Sequence, residues 1–176
     1  MTRPASRIEL CREACEVIAS ATARHLPRET GGILLGYGED AHIVVTHALV
    51  VDGPGASTHR YVRDDVQANA LLAAFLAPRA DDDPTGYVGE WHSHPAPSGP
   101  SPTDVAAMRA TARQHEVPLA LLVHAPGAQQ SFFGLITRCQ RTGRVTSKPA
   151  PVLMPPSRSE ALGPPPDGAI RCDGPV

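Results

Sequence analysis

The stretch Tyr87-Val-Gly-Glu-Trp-His-Ser-His-Pro95, followed closely by Ser101-Pro-Thr-Asp104, constrains the fold more than any other part of the chain. A β-strand sends alternate side chains to one face, so His92 and His94 direct two imidazoles at a common point. Pro95 cannot continue a central strand, and Ala96-Pro-Ser-Gly-Pro100 is turn chemistry throughout, so the chain leaves the sheet directly after the second histidine. Ser101-Pro-Thr-Asp104 then reads as a helix start, with Ser101 at the N-cap, Pro102 at the first helical position and an acid in the first turn. From that fixed helix end Asp104 can point back toward the two histidines. Two imidazole nitrogens and one carboxylate oxygen leave a tetrahedral divalent ion one position short, which is the layout of a catalytic zinc site, and one Zn2+ per chain is expected.

The remainder of the chain supplies elements to hold this stretch. Ser6-Arg-Ile-Glu9 has the form of a capping box, and Leu10, Ala14, Val17, Ile18 and Ala21 follow at helical spacing up to Pro27, which predicts a first helix lying on a sheet. Gly31 and Gly32 permit close backbone approach ahead of the apolar run Ile33-Leu34-Leu35, a buried strand with Glu29 at its mouth. The β-branched run His42 to Val51 reads as its hairpin partner, reached through Gly38-Glu-Asp40. Asp52 to Ser57 is loop, Thr58 to Val62 a short strand, and Asp65 to Leu76 a helix. After the histidines come a second alanine-rich helix from Ser101 and the apolar strands Pro118–Ala125 and Ser131–Thr137. The tally is a mixed β-sheet flanked by two or three helices, an α/β sandwich. Residues 1–147 form one domain, and from Lys148 the prolines fall among Ser, Arg, Glu and Gly, which predicts a flexible tail over 148–176 with Val152 to Met154 as a candidate edge strand.

Composition excludes little but points one way. The chain has 176 residues, enough for one domain with a core, and a net charge of -2, so no basic face advertises nucleic acid or an anionic membrane and neither partner is expected. No apolar run reaches membrane-spanning length, and the N-terminus lacks the apolar core of a secretory signal, so a cytoplasmic location is expected. Cys11, Cys15, Cys139 and Cys172 are scattered, without metal or disulfide spacing, and Cys11 and Cys15, one helical turn apart, read as packing residues.

Glu29-Thr-Gly-Gly-Ile-Leu-Leu-Gly36, His92-Ser-His-Pro95 and Ser101-Pro-Thr-Asp104 together resemble the JAB/MPN (JAMM) metalloprotease family, whose signature is an upstream Glu, His-Ser/Thr-His-Pro and Ser-x-x-Asp. The resemblance covers roughly Ile8 to Thr137 and is closest to the compact prokaryotic branch. Six residues separate His94 from Ser101, where the family usually has seven. The resemblance implies a cytidine-deaminase-like/MPN fold, metal ligation by His92, His94 and Asp104, a general base at Glu29 and oxyanion stabilisation by Ser101. It also implies hydrolysis of an isopeptide or peptide bond after the C-terminal tail of a ubiquitin-like or sulfur-carrier protein, with an E1-like activating enzyme as a further candidate partner.

The chemistry is consistent with those residue types. A bound zinc lowers the pKa of water from about 15.7 toward about 7 and polarises a carbonyl, which leaves proton handling to Glu29 and charge stabilisation to the Ser101 hydroxyl. Helix capping competes with the latter role, so one of the two is expected to yield. Glu90 shares the face of His92 and is a candidate supporting partner. Two other readings stay open: a metallopeptidase or amidase with an unrelated substrate, and a catalytically silent scaffold of the same fold.

Overall fold

Alternation, not helical periodicity, decides the first element. The computed structural model describes residues 6–39, 42–127 and 131–154. Strand β1 (Arg7–Leu10) buries Ile8 and Leu10 and turns Arg7 and Glu9 outward. The helix start expected at Ser6 is therefore corrected: Glu9 accepts from Arg7 Nε at 3.0 Å and is not spent on a cap. Helix α1 (Arg12–His25) begins instead after Cys11, whose Sγ accepts from the Ala14 N–H and donates to the Thr46 carbonyl at 2.7 Å. Cys11 lies in the core and Cys15 packs against it, as expected for packing residues. Cys172 lies outside the described residues.

Strands β2 (Gly31–Glu39) and β3 (His42–Val51) pair antiparallel as the expected hairpin. Between β3 and helix α2 (Asp65–Leu76) runs a loop, in which a single bridge between Ser57 and Arg60 replaces the strand expected at Thr58–Val62. Asp64 caps α2 by accepting from the Gln67 N–H at 3.0 Å. Then come β4 (Gly86–Ser93), helix α3 (Pro102–Ala112), β5 (Leu119–His124), β6 (Phe132–Cys139), β7 (Val145–Ala150) and β8 (Val152–Leu153).

The strands form one mixed sheet in the order β7-β6-β5-β4-β2-β3-β1-β8. Only Pro151 separates β7 at one end from β8 at the other, and its carbonyl accepts from Ile8 N–H at 3.0 Å, so the sheet curls until it is nearly closed. Gly134 marks the seam: a Cβ there would stand 2.8 Å from Val152 and 3.0 Å from Ile8. The sheet thus runs past residue 148 to Leu153. Pro149 is tolerated because β7 pairs on one side only, and an edge strand has no partner for the missing N–H. Residues 155–176 lie outside the described residues.

Each face of the curl carries a core. Leu34, Trp91, Leu122 and Ile8 pack with Ile18 and Ala14 of α1 on one side. Ile33, Leu35, Leu121 and Tyr87 meet Leu72 of α2 and Met108 and Ala112 of α3 on the other. Full burial of a Leu or Ile side chain contributes about 1.5–3 kcal/mol, and near-continuous apolar runs such as Leu119–Val123 are what a strand covered on both faces requires. The mixed α/β architecture matches the expectation. Among the described residues no helix is long and apolar enough to cross a membrane.

Strand β4, which carries His92, sits near the middle of the sheet, antiparallel to β2 and parallel to β5. Leu34 faces Gly89 while Leu35 faces Tyr87, so Val88 is an extra residue and β4 carries a bulge. Gly89 closes it at φ +146°, with no room for a side chain because a Cβ would run into the Ala120 carbonyl oxygen. The bulge brings Tyr87 and Glu90 to one face, where the Tyr87 hydroxyl donates to Glu90 at 3.2 Å. Gly89→Ala combines a disfavoured backbone conformation with an overpacked strand and should destabilise the protein by about 2–4 kcal/mol in chemical denaturation. Wild-type stability in that variant would mean the bulge is absent in solution.

Candidate metal centre

The end of β4 and the start of α3 converge. His92 occupies the last turn of the pleat on the α3 side, and His94 follows once the chain has left the strand, its N–H donating to the His124 carbonyl at 2.9 Å. The two Nε2 atoms are 3.1 Å apart, and Oδ2 of Asp104 is 3.5 Å from each. These three residues are brought together as the sequence predicts, and they could hold a metal ion. The donor set passes a simple fit test. A tetrahedral ion with bonds of about 2.0–2.1 Å spaces its ligand atoms about 3.3–3.4 Å apart, close to the triangle observed.

The surroundings aim these donors. His94 Nδ1 faces the carbonyl and hydroxyl of Ser98 at 3.2 and 3.1 Å. A proton placed there leaves Nε2 bare toward the site, the usual way a ligating imidazole is oriented. Asp104 is held by the capping box: Ser101 N–H donates to Oδ2 at 2.6 Å, and Ser101 Oγ accepts from the Asp104 N–H at 3.2 Å. Burial acts to raise the Asp104 pKa, but hydrogen bonds from the two imidazoles and from Ser101 outweigh it and hold the carboxyl well below the usual range. The His94 pKa is raised, chiefly by its hydrogen bond to Asp104.

Capping uses a lone pair of the Ser101 hydroxyl and leaves its proton free to donate. The competition expected between capping and donation therefore does not arise. The short spacing from His94 to Ser101 is likewise absorbed, since the loop still lets Ser98 touch His94 and Ser101 still caps α3.

Glu29 arrives from β2. Ser93 N–H donates to the Thr30 carbonyl at 2.7 Å and Thr30 N–H to Ser93 Oγ at 3.0 Å, while Gly31 pairs with His92. Continuing that antiparallel register by two residues sets Glu29 beside His94. Glu29 is 8% exposed, and burial raises its pKa against the lowering influence of His94 and His92. It lines the same cavity of about 710 Å³ as His92, His94, Ser101 and Asp104.

Two groups escape sequence reasoning. The Tyr61 ring lies so close to Gly31 and Gly53 that a Cβ on either would meet it at 2.5–2.6 Å, and its hydroxyl donates to the Val51 carbonyl at 2.8 Å. Arg63 bridges Glu90 and Asp65, each at 2.9 Å. Glu90, a candidate partner of the histidines, thus pairs with Arg63 and Tyr87. The cluster Arg60-Tyr-Val-Arg63 beside a capping Asp64 is visible in the sequence, but its partners are not.

Comparison with known families adds a decisive observation: the model describing prokaryotic homologs of the JAB domain matches residues 12–142. The chain belongs to that family. JAB domains include metalloproteases, and the matched segment contains Glu29, both histidines, Ser101 and Asp104. Among solved structures, the solution structure of protein DSY2949 from Desulfitobacterium hafniense is similar, with TM-score 0.60 and 16% identity over 84% of this chain and 92% of that one, a likeness of fold. Comparison with curated proteins gives no match.

Two measurements check the JAB-type site. Cobalt(II) added to chelator-treated protein should give the absorption of a tetrahedral site at one ion per chain, and His92→Ala or His94→Ala should abolish it. Unchanged spectra in both variants would dismiss the assignment. Ser101→Ala should weaken α3 by about 1 kcal/mol through loss of the cap, read from thermal unfolding of the metal-free protein.

Proposed function

We propose that this chain is a zinc-dependent metalloprotease that hydrolyses an isopeptide or peptide bond after the C-terminal tail of a ubiquitin-like or sulfur-carrier protein. The observation that carries the reading is the coincidence of a tetrahedrally spaced His-His-Asp donor set with a buried carboxylate, Glu29, in one cavity. Two imidazoles and one carboxylate are a typical donor set for catalytic zinc, which when bound supplies Lewis acidity toward water and the scissile carbonyl.

The chain's own residues handle the rest. Glu29 takes a proton from the attacking water on a carboxylate oxygen and passes it to the leaving nitrogen, a task favoured by a carboxyl whose pKa burial has raised. Ser101 donates its free hydroxyl proton toward the developing oxyanion while its lone pair continues to cap α3. Burial of His92, His94 and Glu29 limits competing water.

The substrate reading rests on the family and on the shape of the site. β4 is paired on both sides by β2 and β5, so an extended tail finds no open edge of the metal strand. It lies instead against residues Thr58–Val62, which line the cavity, and the folded body of the carrier supplies the remaining recognition.

Glu29→Gln keeps the side chain's size and removes its basicity. It should retain metal and fold while lowering turnover of a carrier ending in Gly-Gly fused to a peptide or lysine by about 100- to 10,000-fold. Undiminished turnover with metal bound would remove Glu29 from the mechanism. A parent protein that cleaves unstructured peptides at unrelated sequences equally well would replace the carrier with a general peptide substrate.

A further inference from the structure

A second cavity of about 410 Å³ lies next to the first, lined by His25, Arg28, Asp52, Asp64, Val51 and the glycine-rich backbone of residues 53–56. Among the described residues, Glu29 and Tyr61 are the two that line both cavities. Tyr61 is the partition, fixed between Gly31 and Gly53, and Glu29, 8% exposed as a residue, lines both cavities with no hydrogen bond to its carboxylate from any described residue. A carboxylate opening on two compartments is placed to serve a molecule that occupies both.

Resting on the proteolytic reading above, we propose that the smaller cavity is the leaving-group subsite and takes a lysine side chain, its ε-nitrogen at Glu29. Position along β4 decides which part of the substrate goes where. The carbonyl must sit at the donor triad, inside the larger cavity. Within that cavity Glu90 lies two residues back from His92 along the strand, and Glu29 lies at the opposite end, beside His94. In the reaction the water oxygen bonds to the carbonyl carbon, the C–N bond breaks, and the proton taken by Glu29 goes to nitrogen, leaving a carboxylic acid and an amine, which become carboxylate and ammonium when water's second proton passes to the amine at neutral pH. The nitrogen therefore departs past Glu29, toward the smaller cavity.

The lining suits an amine on an unbranched stem. Val51 and the Tyr61 ring offer apolar wall for four methylenes, and the glycines of the 53–56 loop leave the channel open. Asp52 Oδ2 accepts from Gln67 Nε2 at 3.0 Å and Asp64 Oδ1 from Gln67 N–H at 3.0 Å. The second oxygen of each takes no hydrogen bond among the described residues, and with Glu29 they give the cavity three carboxylates. Against them stand one exposed guanidinium, Arg28, and His25, whose Nδ1 is tied to the Ala21 carbonyl at 2.8 Å. The balance favours a cation, the form the freed amine takes at neutral pH.

The product half of the substrate supplies a probe that needs no turnover. Backbone amide NMR of the zinc-loaded protein, titrated with Nα-acetyl-lysine amide, should show saturable shifts at Gly53, Gly55 and Ala56, and Nα-acetyl-norleucine amide, which lacks the amine, should not produce them. Ala56→Trp, which fills the cavity from its loop, should abolish the response, its fold being read from the same spectrum. Asp52→Asn, which changes charge but not size, should weaken binding about tenfold. Shifts centred on Val62, Arg63 and Thr103, an equal response to the norleucine probe, or none up to the solubility limit would overturn the subsite. If the lysine probe binds as expected and no carrier conjugate is hydrolysed, the lysine-binding cavity stands, while the proteolytic reading and with it the leaving-group role fail. If conjugates are hydrolysed and the probe gives no shift, the subsite alone falls.

Discussion

Two hydrogen bonds between Thr30 and Ser93 are the constraint on which the site depends. They extend the β2–β4 ladder beyond its last regular pair and satisfy the backbone groups of a strand end that is fully buried. Because side chains alternate, a slip of one residue in this register would send Glu29 to the opposite face of the sheet and away from the imidazoles. Ser93 can play this part because it is the odd residue of His-Ser-His: its neighbours face the metal side, and it faces β2. The same spacing that presents two ligands therefore also fixes the carboxylate.

Two carboxylates of the cavity, Asp104 and Glu29, are driven in opposite directions by their surroundings. Asp104 sits at a helix N-terminus, accepts a backbone N–H and faces two imidazoles, all of which favour the charged form. Glu29 arrives on a strand mouth, and its burial outweighs the opposing influence of His94 and His92, so the neutral form gains. A group that stays ionised suits a ligand, and one whose proton affinity is raised suits a proton carrier. Such divergence between neighbouring titratable groups is what separates acid–base roles within one site.

Local chemistry makes the site legible in the sequence, and non-local pairing hides the rest. His92, His94, Ser101 and Asp104 lie within thirteen residues, and every step between them is a turn or cap signal readable from residue type, so their convergence can be derived. Arg7–Leu10 reads as a helix start because a four-residue strand and a capping box compete over the same letters, and only pairing with β3 at one side and β8 at the other decides for the strand. Pro149 hides β7, and it is harmless only because that strand ends the sheet. Tyr61 and Arg63 carry no signal, since their partners Gly31, Gly53 and Glu90 lie far along the chain or across the loop.

The near closure of the sheet then directs where selectivity can reside. With β7 and β8 joined through Pro151 and the metal strand covered on both flanks, strand edges are not available beside the triad. The core around α1 is built of buried apolar side chains. What remains around Glu29 and the histidines is one face of α3 and two loops, residues 52–64 on one side and 95–101 on the other. The first loop is not slack, because Tyr61 is wedged between two glycines and Arg63 ties it to the metal strand through Glu90. Loops fixed in this way can differ in side chain without disturbing the donor geometry. A change of substrate in this fold is thus expected to arise by substitution in residues 52–64, with His92, His94, Asp104 and the Thr30–Ser93 clasp left as they are.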